Sequence, residues 1–190
     1  MNKLMKPAIA IAAMCTLALG AFAQGTMSNT VSVGGAAMYP MKNIIENAVN
    51  SKDHTTLVAA VKAAGLVETL QGKGPFTVFA PTNNAFAALP AGTVDGLLKP
   101  EAKGTLTTVL TYHVIAGKYD MKALAELIKK GGGKGMLKTV AGGELTFAMN
   151  GPSNITVWDA TGAYANISTY DVLQSNGVIH VIDRVLMPKM

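Results

Sequence analysis

Phe76-Thr-Val-Phe-Ala-Pro-Thr-Asn-Asn-Ala-Phe-Ala-Ala-Leu89 specifies a whole strand-to-helix corner. Phe76, Val78 and Ala80 alternate with Thr77 and Phe79 as in a half-buried strand. Pro81 lacks the backbone donor needed to continue it. Thr82 or Asn83 then offers a side-chain acceptor to the first free amides of a helix, and with Thr82 as the cap, Pro81 and Phe86 fall at the positions of a hydrophobic staple.

Two further segments extend this reading toward the other end of the chain: Thr111-Tyr-His-Val-Ile115 and Asn176-Gly-Val-Ile-His-Val-Ile-Asp-Arg-Val-Leu-Met-Pro188. The three segments, in this order, resemble the first signature, the short tyrosine-histidine motif and the second signature of the fasciclin domain family. The resemblance covers roughly residues 41–188. It implies a secreted or cell-surface adhesion module whose fold is a wedge of two β-sheets with helices along one side.

The start of the chain reads as an export signal. Lys3 and Lys6 precede an apolar run from Ala8 to Leu19, and Ala21-Phe-Ala23 has the small-x-small pattern cut by a signal peptidase. The run is too short for a membrane span. Residues 1–23 are therefore expected to be a signal peptide, which places the protein in the periplasm or outside the cell with no stable membrane anchor. The only cysteine, Cys15, lies in this segment and follows Met14, which is too large for lipoprotein processing. A chain cut after Ala23 has no thiol, which excludes disulfides and thiol catalysis.

The formal net charge of +5 falls to +3 without Lys3 and Lys6 (14 basic against 11 acidic residues), too mild to indicate a nucleic-acid partner, which usually meets a clustered basic face. The densest basic stretch, Lys129-Lys-Gly-Gly-Gly-Lys-Gly135, reads as a solvated loop at the end of a helix. Residues 24–40, rich in Ser, Gly, Asn and Ala without periodicity, read as a flexible leader. Residues 41–188 then form a single domain, long enough to bury a sizeable core without covalent staples.

Within that domain the first half reads as helices. Ile44, Ile45 and Val49 share one face, Leu57, Val58 and Val61 another, and Gly65 ends the second helix. Leu106, Val109, Leu110 and His113 take i, i+3, i+4 and i+7 positions, so His113 faces the core. Asp120 caps a helix through Leu124, Leu127 and Ile128. After Gly135 the pattern becomes short strands: a hairpin around Gly142-Gly143, then Ile155 to Trp158, Ala163 to Ile167, and Val178 to Ile182 after Asn176-Gly177. The strand Phe76 to Ala80 has no partner among the helices and must join the later strands. An α+β domain follows, a sandwich-like sheet assembly packed by N-terminal helices.

Chemistry-bearing constellations are sparse. Of three histidines, His54 is placed in a polar, exposed helix start, and His113 and His180 in apolar surroundings. No spacing matches a metal site, and there is no nucleophile elbow, phosphate loop or dinucleotide fingerprint. No cofactor or metal is expected. A small-hydrolase reading would need His113 or His180 with Asp171 or Asp183 and a serine or threonine; His180 reads instead as a satisfied interior histidine.

The preferred function is a noncatalytic adhesion or matrix-interaction module binding a surface or matrix protein or polysaccharide. The resemblance implies two candidate recognition segments: Tyr112-His113, which alternatively braces the helix against the sheets, and Asp171-Val172-Leu173, where Asp171 could equally bond turn amides. Tyr164 and Tyr170 are the further surface candidates. A carbohydrate-binding module is the alternative, with an exposed Trp158 or tyrosine stacking on a sugar ring.

Overall fold

The computed structural model describes residues 30–189. The segment expected to be a signal peptide, Cys15 and the first part of the expected leader lie outside the described residues. The rest of the leader corrects the sequence reading. Val31–Val33 (β1) and Ala36–Met38 (β2) form an antiparallel hairpin whose Val33 and Met38 are buried in the core. Strands of three residues with one inward side chain each leave too little pattern to see in sequence.

Among the described residues, seven α-helices follow or interleave with the strands. Ile44–Ala48 (α1), Thr55–Ala64 (α2) and Val67–Gln71 (α3) precede the central strand Phe76–Pro81 (β3). Asn83–Ala87 (α4), Thr93–Leu97 (α5) and Lys103–Tyr112 (α6) lead to Val114–Ala116 (β4), and Met121–Lys130 (α7) closes the helical part. Val49 caps α1 and is exposed rather than on its apolar face. Lys134–Lys138 (β5), Glu144–Met149 (β6), Ile155–Trp158 (β7), Tyr164–Gln174 (β8) and Gly177–Ile182 (β9) complete the order.

The corner at Phe76 folds as its chemistry dictates. Thr82 accepts a hydrogen bond from the Ala85 amide at 3.3 Å and starts α4. Asn83 ties the corner to the preceding helices: its Oδ1 accepts from the Thr56 amide at the start of α2, and its Nδ2 donates to the Lys52 carbonyl. β3 differs from the half-buried strand expected, because it runs between β4 and β9 and its residues from Thr77 onward are buried on both faces. Its antiparallel partner β4 lies within the helical half, so the strand is not without a local partner. Its parallel pairing with β9, Phe76 to Pro81 against Gly177 to Ile182, is what joins the two halves. Gly177 is required there: a Cβ would lie 2.1 Å from the Phe76 carbonyl oxygen.

Seven strands form one continuous sheet in the order β4-β3-β9-β8-β7-β6-β5. The long β8 belongs to both halves of it, and its register shifts between Ile167, Thr169 and Val172 turn the sheet. The sheet curls until its ends meet. Phe79 of β3 packs its ring 5.5 Å from Phe147 of β6, and the turn after β5 donates from the Val140 amide to the Val114 carbonyl of β4 at 2.8 Å. The wedge is therefore one folded sheet, almost a barrel.

Two cores result from the two-residue period of the central strands. Val78, Ala80, Ile179 and Val181 face the hairpin and helices α1, α2, α4 and α6. Phe79 and Ile182 face inward with Leu145, Phe147, Ile155 and Val157, closed by Leu124 and Ile128 of α7.

Candidate functional site

Most polar side chains of the three motifs bond the backbone. Asn176 accepts from the Ile44 amide and donates to the carbonyls of Leu70 and Gly72, pinning α1 and α3 to the turn before β9. Asp183 accepts from both the backbone and side-chain amides of Asn166. Asp159 accepts from the Thr161 and Ala163 amides, the Thr161 hydroxyl and the Met187 amide. These are cross-links between distant segments, and they leave few free lone pairs.

The histidines are held in the same way. His113 donates from Nδ1 to the Val109 carbonyl at 2.8 Å and accepts from the Leu186 amide at Nε2, 2.9 Å. Burial lowers its pKa to about 4, so the ring is neutral and its tautomer is fixed by the two bonds. His180, stacked on Phe79 at 5.6 Å, donates from Nε2 to the Tyr119 carbonyl at 2.8 Å, and burial lowers its pKa too. Neither ring has a serine or threonine hydroxyl bonded to it, as a nucleophile-base pair requires. His54 corrects the sequence reading: it is 3% exposed, carried inward where a 3-10 turn over Lys52–His54 meets α2.

Tyr112, read as a recognition candidate, is sealed in the core. Its hydroxyl donates to the Glu144 carbonyl at 2.8 Å and accepts from the Ala160 amide at 3.0 Å, joining the end of α6 to β6 and to the β7–β8 turn. A Cβ on Gly143 would lie 2.7 Å from this ring, so the glycine that looked like turn chemistry makes room for the tyrosine. The Tyr112-His113 pair presents no surface and braces the molecule.

Asp171 is half-buried with φ of 53°, a conformation uncommon outside glycine. Its Oδ1 accepts from the Met121 amide at 2.7 Å, at the first turn of α7, which Asp120 caps through the Ala123 amide. Val172 is buried and Leu173 half-buried. Tyr170 is half-buried, its hydroxyl accepting from the Ile155 amide at 2.7 Å. Of the adhesion candidates, only Tyr164 is a large exposed side chain.

Trp158 stands beside it. The two are cross-strand partners on β7 and β8, 38% and 43% exposed, with ring centroids 4.9 Å apart at 41°. The Arg184 guanidinium lies 5.9 Å from the Tyr164 centroid. Tyr164 and Arg184 also line a groove of about 290 Å³ whose other wall includes Ala85, Leu89 and Met187. Arg184 was missed by the sequence reading; its position after the last strand, next to a strand-paired aromatic, is visible only once the register is known. The ledge offers two apolar ring faces and a cation to a partner, without a reactive group.

Among the described residues no three metal-ligating side chains converge, and no helix is long and apolar enough to cross a membrane.

The model of the fasciclin domain matches residues 52–188. Protein sll1483 of Synechocystis is 46% identical over 165 residues, covering 87% of this chain and 84% of that protein. The cell surface glycolipoprotein MPB83 of Mycobacterium bovis is 34% identical over 171 residues, covering 87% of this chain and 70% of the relative. Among solved structures, a FAS1 domain pair from the insect cell adhesion molecule fasciclin I superposes with a TM-score of 0.68 at 18% identity. That match covers 83% of this chain but 57% of the paired structure, and it bears on the fold.

Proposed function

The chain belongs to the fasciclin domain family, and on that premise we propose that it is an exported, noncatalytic adhesion module that holds a surface or matrix protein or polymer on the ledge formed by Trp158, Tyr164 and Arg184. One observation carries this reading: two large aromatic rings are held open to solvent side by side in strand register, whereas of the other aromatic rings among the described residues only the isolated Tyr39 is comparably exposed, and most polar groups of the three motifs are spent on the fold. Rigid aromatic side chains lose little entropy on binding and are common anchors of interfaces. Export, to the periplasm or beyond the cell, fits a relative described as a cell-surface protein. Neither His113 nor His180 has a serine or threonine hydroxyl bonded to it, and the Ser51–His54 pair, 2.8 Å apart, is buried away from the ledge, which supports the noncatalytic reading.

A carbohydrate partner is the second reading, favoured by the exposure of Trp158, whose indole face could stack on a sugar ring. Protection of its fluorescence from iodide by a purified polysaccharide, with no protein partner present, supports this second reading, and no protection by any polysaccharide removes it.

The test immobilises the purified protein and measures attachment of cells and of exopolysaccharide against an inert secreted control. Retention above the control, lost on Trp158→Ala and Tyr164→Ala, is expected. Equal retention by protein and control overturns the proposal.

A further inference from the structure

An apolar cavity of about 50 Å³ lies where the N-terminal hairpin, α1, α2 and α3 back onto the sheet. Its walls are aliphatic, among them Ile44, Leu57, Val61 and Leu70. Half-buried Ile45 and Val58 and the exposed Lys62 also line it, so it reaches the surface between α1 and α2.

One feature of its lining is out of keeping with an ordinary packing gap. His54, 3% exposed, borders the cavity together with Ser51. The Ser51 hydroxyl lies 2.8 Å from His54 Nδ1, while Nε2 has no hydrogen-bond partner. Burial lowers the pKa of this ring, against a smaller opposing pull from the Ala80 carbonyl, which does not reach hydrogen-bond geometry. The ring is therefore neutral and carries one proton.

The position of that proton follows from Ser51. The contact with His54 is the one hydrogen bond of its hydroxyl among the described residues. If Nδ1 carried the proton, both the serine O–H and the Nε2 lone pair would be left without partners. With the serine donating to Nδ1, a single group is unsatisfied: the Nε2 proton, a donor. Buried donors without acceptors are rare and costly. Water is a poor remedy here, since an internal water needs about two to four polar partners and the lining offers hardly any polar surface.

We propose that this cavity is a binding site for a slender aliphatic molecule carrying one acceptor oxygen, such as a ketone, ester or alcohol, whose oxygen takes the proton of His54 Nε2 while its chain lies along Leu57 and Val61. The size sets the shape of the ligand. At about 50 Å³ the enclosed space is well below the roughly 150 Å³ that admits a benzene ring. It takes a segment a few atoms long, and the remainder lies over Ile45 and Val58 toward Lys62.

Isotope-labelled full-length protein titrated with 2-pentanone, and separately with pentane, tests this by nuclear magnetic resonance. Saturable one-to-one binding of the ketone is expected, with the His54 Nε2 resonance shifting along the titration and the alkane bound about tenfold more weakly, the ratio typical of one hydrogen bond. Val58→Phe narrows the rim without touching the His54–Ser51 pair and should abolish binding of both with the far-UV circular dichroism unchanged. His54→Leu, where it folds, should keep pentane and lose the preference for the ketone. Failure of the ketone to saturate, saturation without movement of the His54 signal, or equal affinities for ketone and alkane each overturn the assignment.

Discussion

Tyr112-His113 and Trp158–Tyr164 use similar side chains for opposite purposes. At the first, the phenol and the imidazole are fully enclosed and all their polar atoms bond backbone groups of α6, β6, the β7–β8 turn and the final segment. At the second, the rings touch each other and each keeps a face open to water. Both sites bridge elements distant in sequence or adjacent in the sheet, so position in a motif does not separate them. Solvation of the polar atoms does. A ring whose heteroatoms are spent on the backbone holds the fold, and one with a free face is available to a partner.

Replacing His113 should show the enclosed site at its strongest. His113→Ala opens a cavity, leaves the Leu186 amide without an acceptor and frees the Val109 carbonyl, a loss of about 3–4 kcal/mol by urea denaturation. An unchanged midpoint with attachment abolished would reverse the comparison, making the histidine a recognition residue.

Acid should reproduce part of this loss without mutation. The unfolded chain protonates His113 below its ordinary pKa of 6.5, whereas the folded chain resists until about pH 4. The stabilisation is therefore fully present above pH 6.5 and is lost as pH falls toward 4, approaching about 3 kcal/mol for this group. His54 and His180, with pKa values also lowered by burial, act in the same direction. Denaturation midpoints measured between pH 7 and pH 4.5 test this, and a flat profile would show that these rings are solvated. Tyr112→Phe is milder. It strands the Ala160 amide and the Glu144 carbonyl for about 2 kcal/mol, with cell attachment unaffected at temperatures where the variant is folded.

Half of the enclosed site was legible in sequence, because Leu106, Val109, Leu110 and His113 at helical spacing put the histidine inside before any tertiary contact is known; the burial of Tyr112, read as a recognition candidate, was not. The corner at Pro81 and Thr82 was legible for the same reason, as each step is set by a neighbour. What could not be read were features decided by pairing. β3 was expected to be half-exposed, but β4 and β9 cover both its edges and the two cores cover both its faces. His54 was read as exposed because its flanking residues are polar, whereas the 3-10 turn before α2 rotates it inward. Arg184 had no local signal, since its neighbour Tyr164 lies on a strand whose register depends on the bulges of β8.

Asp171 tests the boundary between the two kinds of site. It is half-exposed, yet its carboxylate accepts from the Met121 amide in the manner of a helix cap, so Asp171→Ala should cost about 1 kcal/mol. A tenfold loss of attachment with no change in midpoint would move it to the binding surface, together with its neighbour Leu173.

Trp158→Ala should leave the fold intact and have the largest effect on binding. The change loses a cross-strand partner at 4.9 Å, worth about 0.5–1 kcal/mol, together with the apolar burial of a side chain that is 38% exposed. If the ledge is where the partner sits, the same change lowers attachment by about tenfold or more, as expected for an aromatic anchor. Tyr164→Ala should act alike, and the double variant should lose little beyond either single change because the rings form one platform. A double variant whose stability losses fall well short of the sum of the single losses while attachment stays intact would make Trp158 and Tyr164 a structural pair that happens to face solvent, and the partner's contact would then have to lie elsewhere on the sheet.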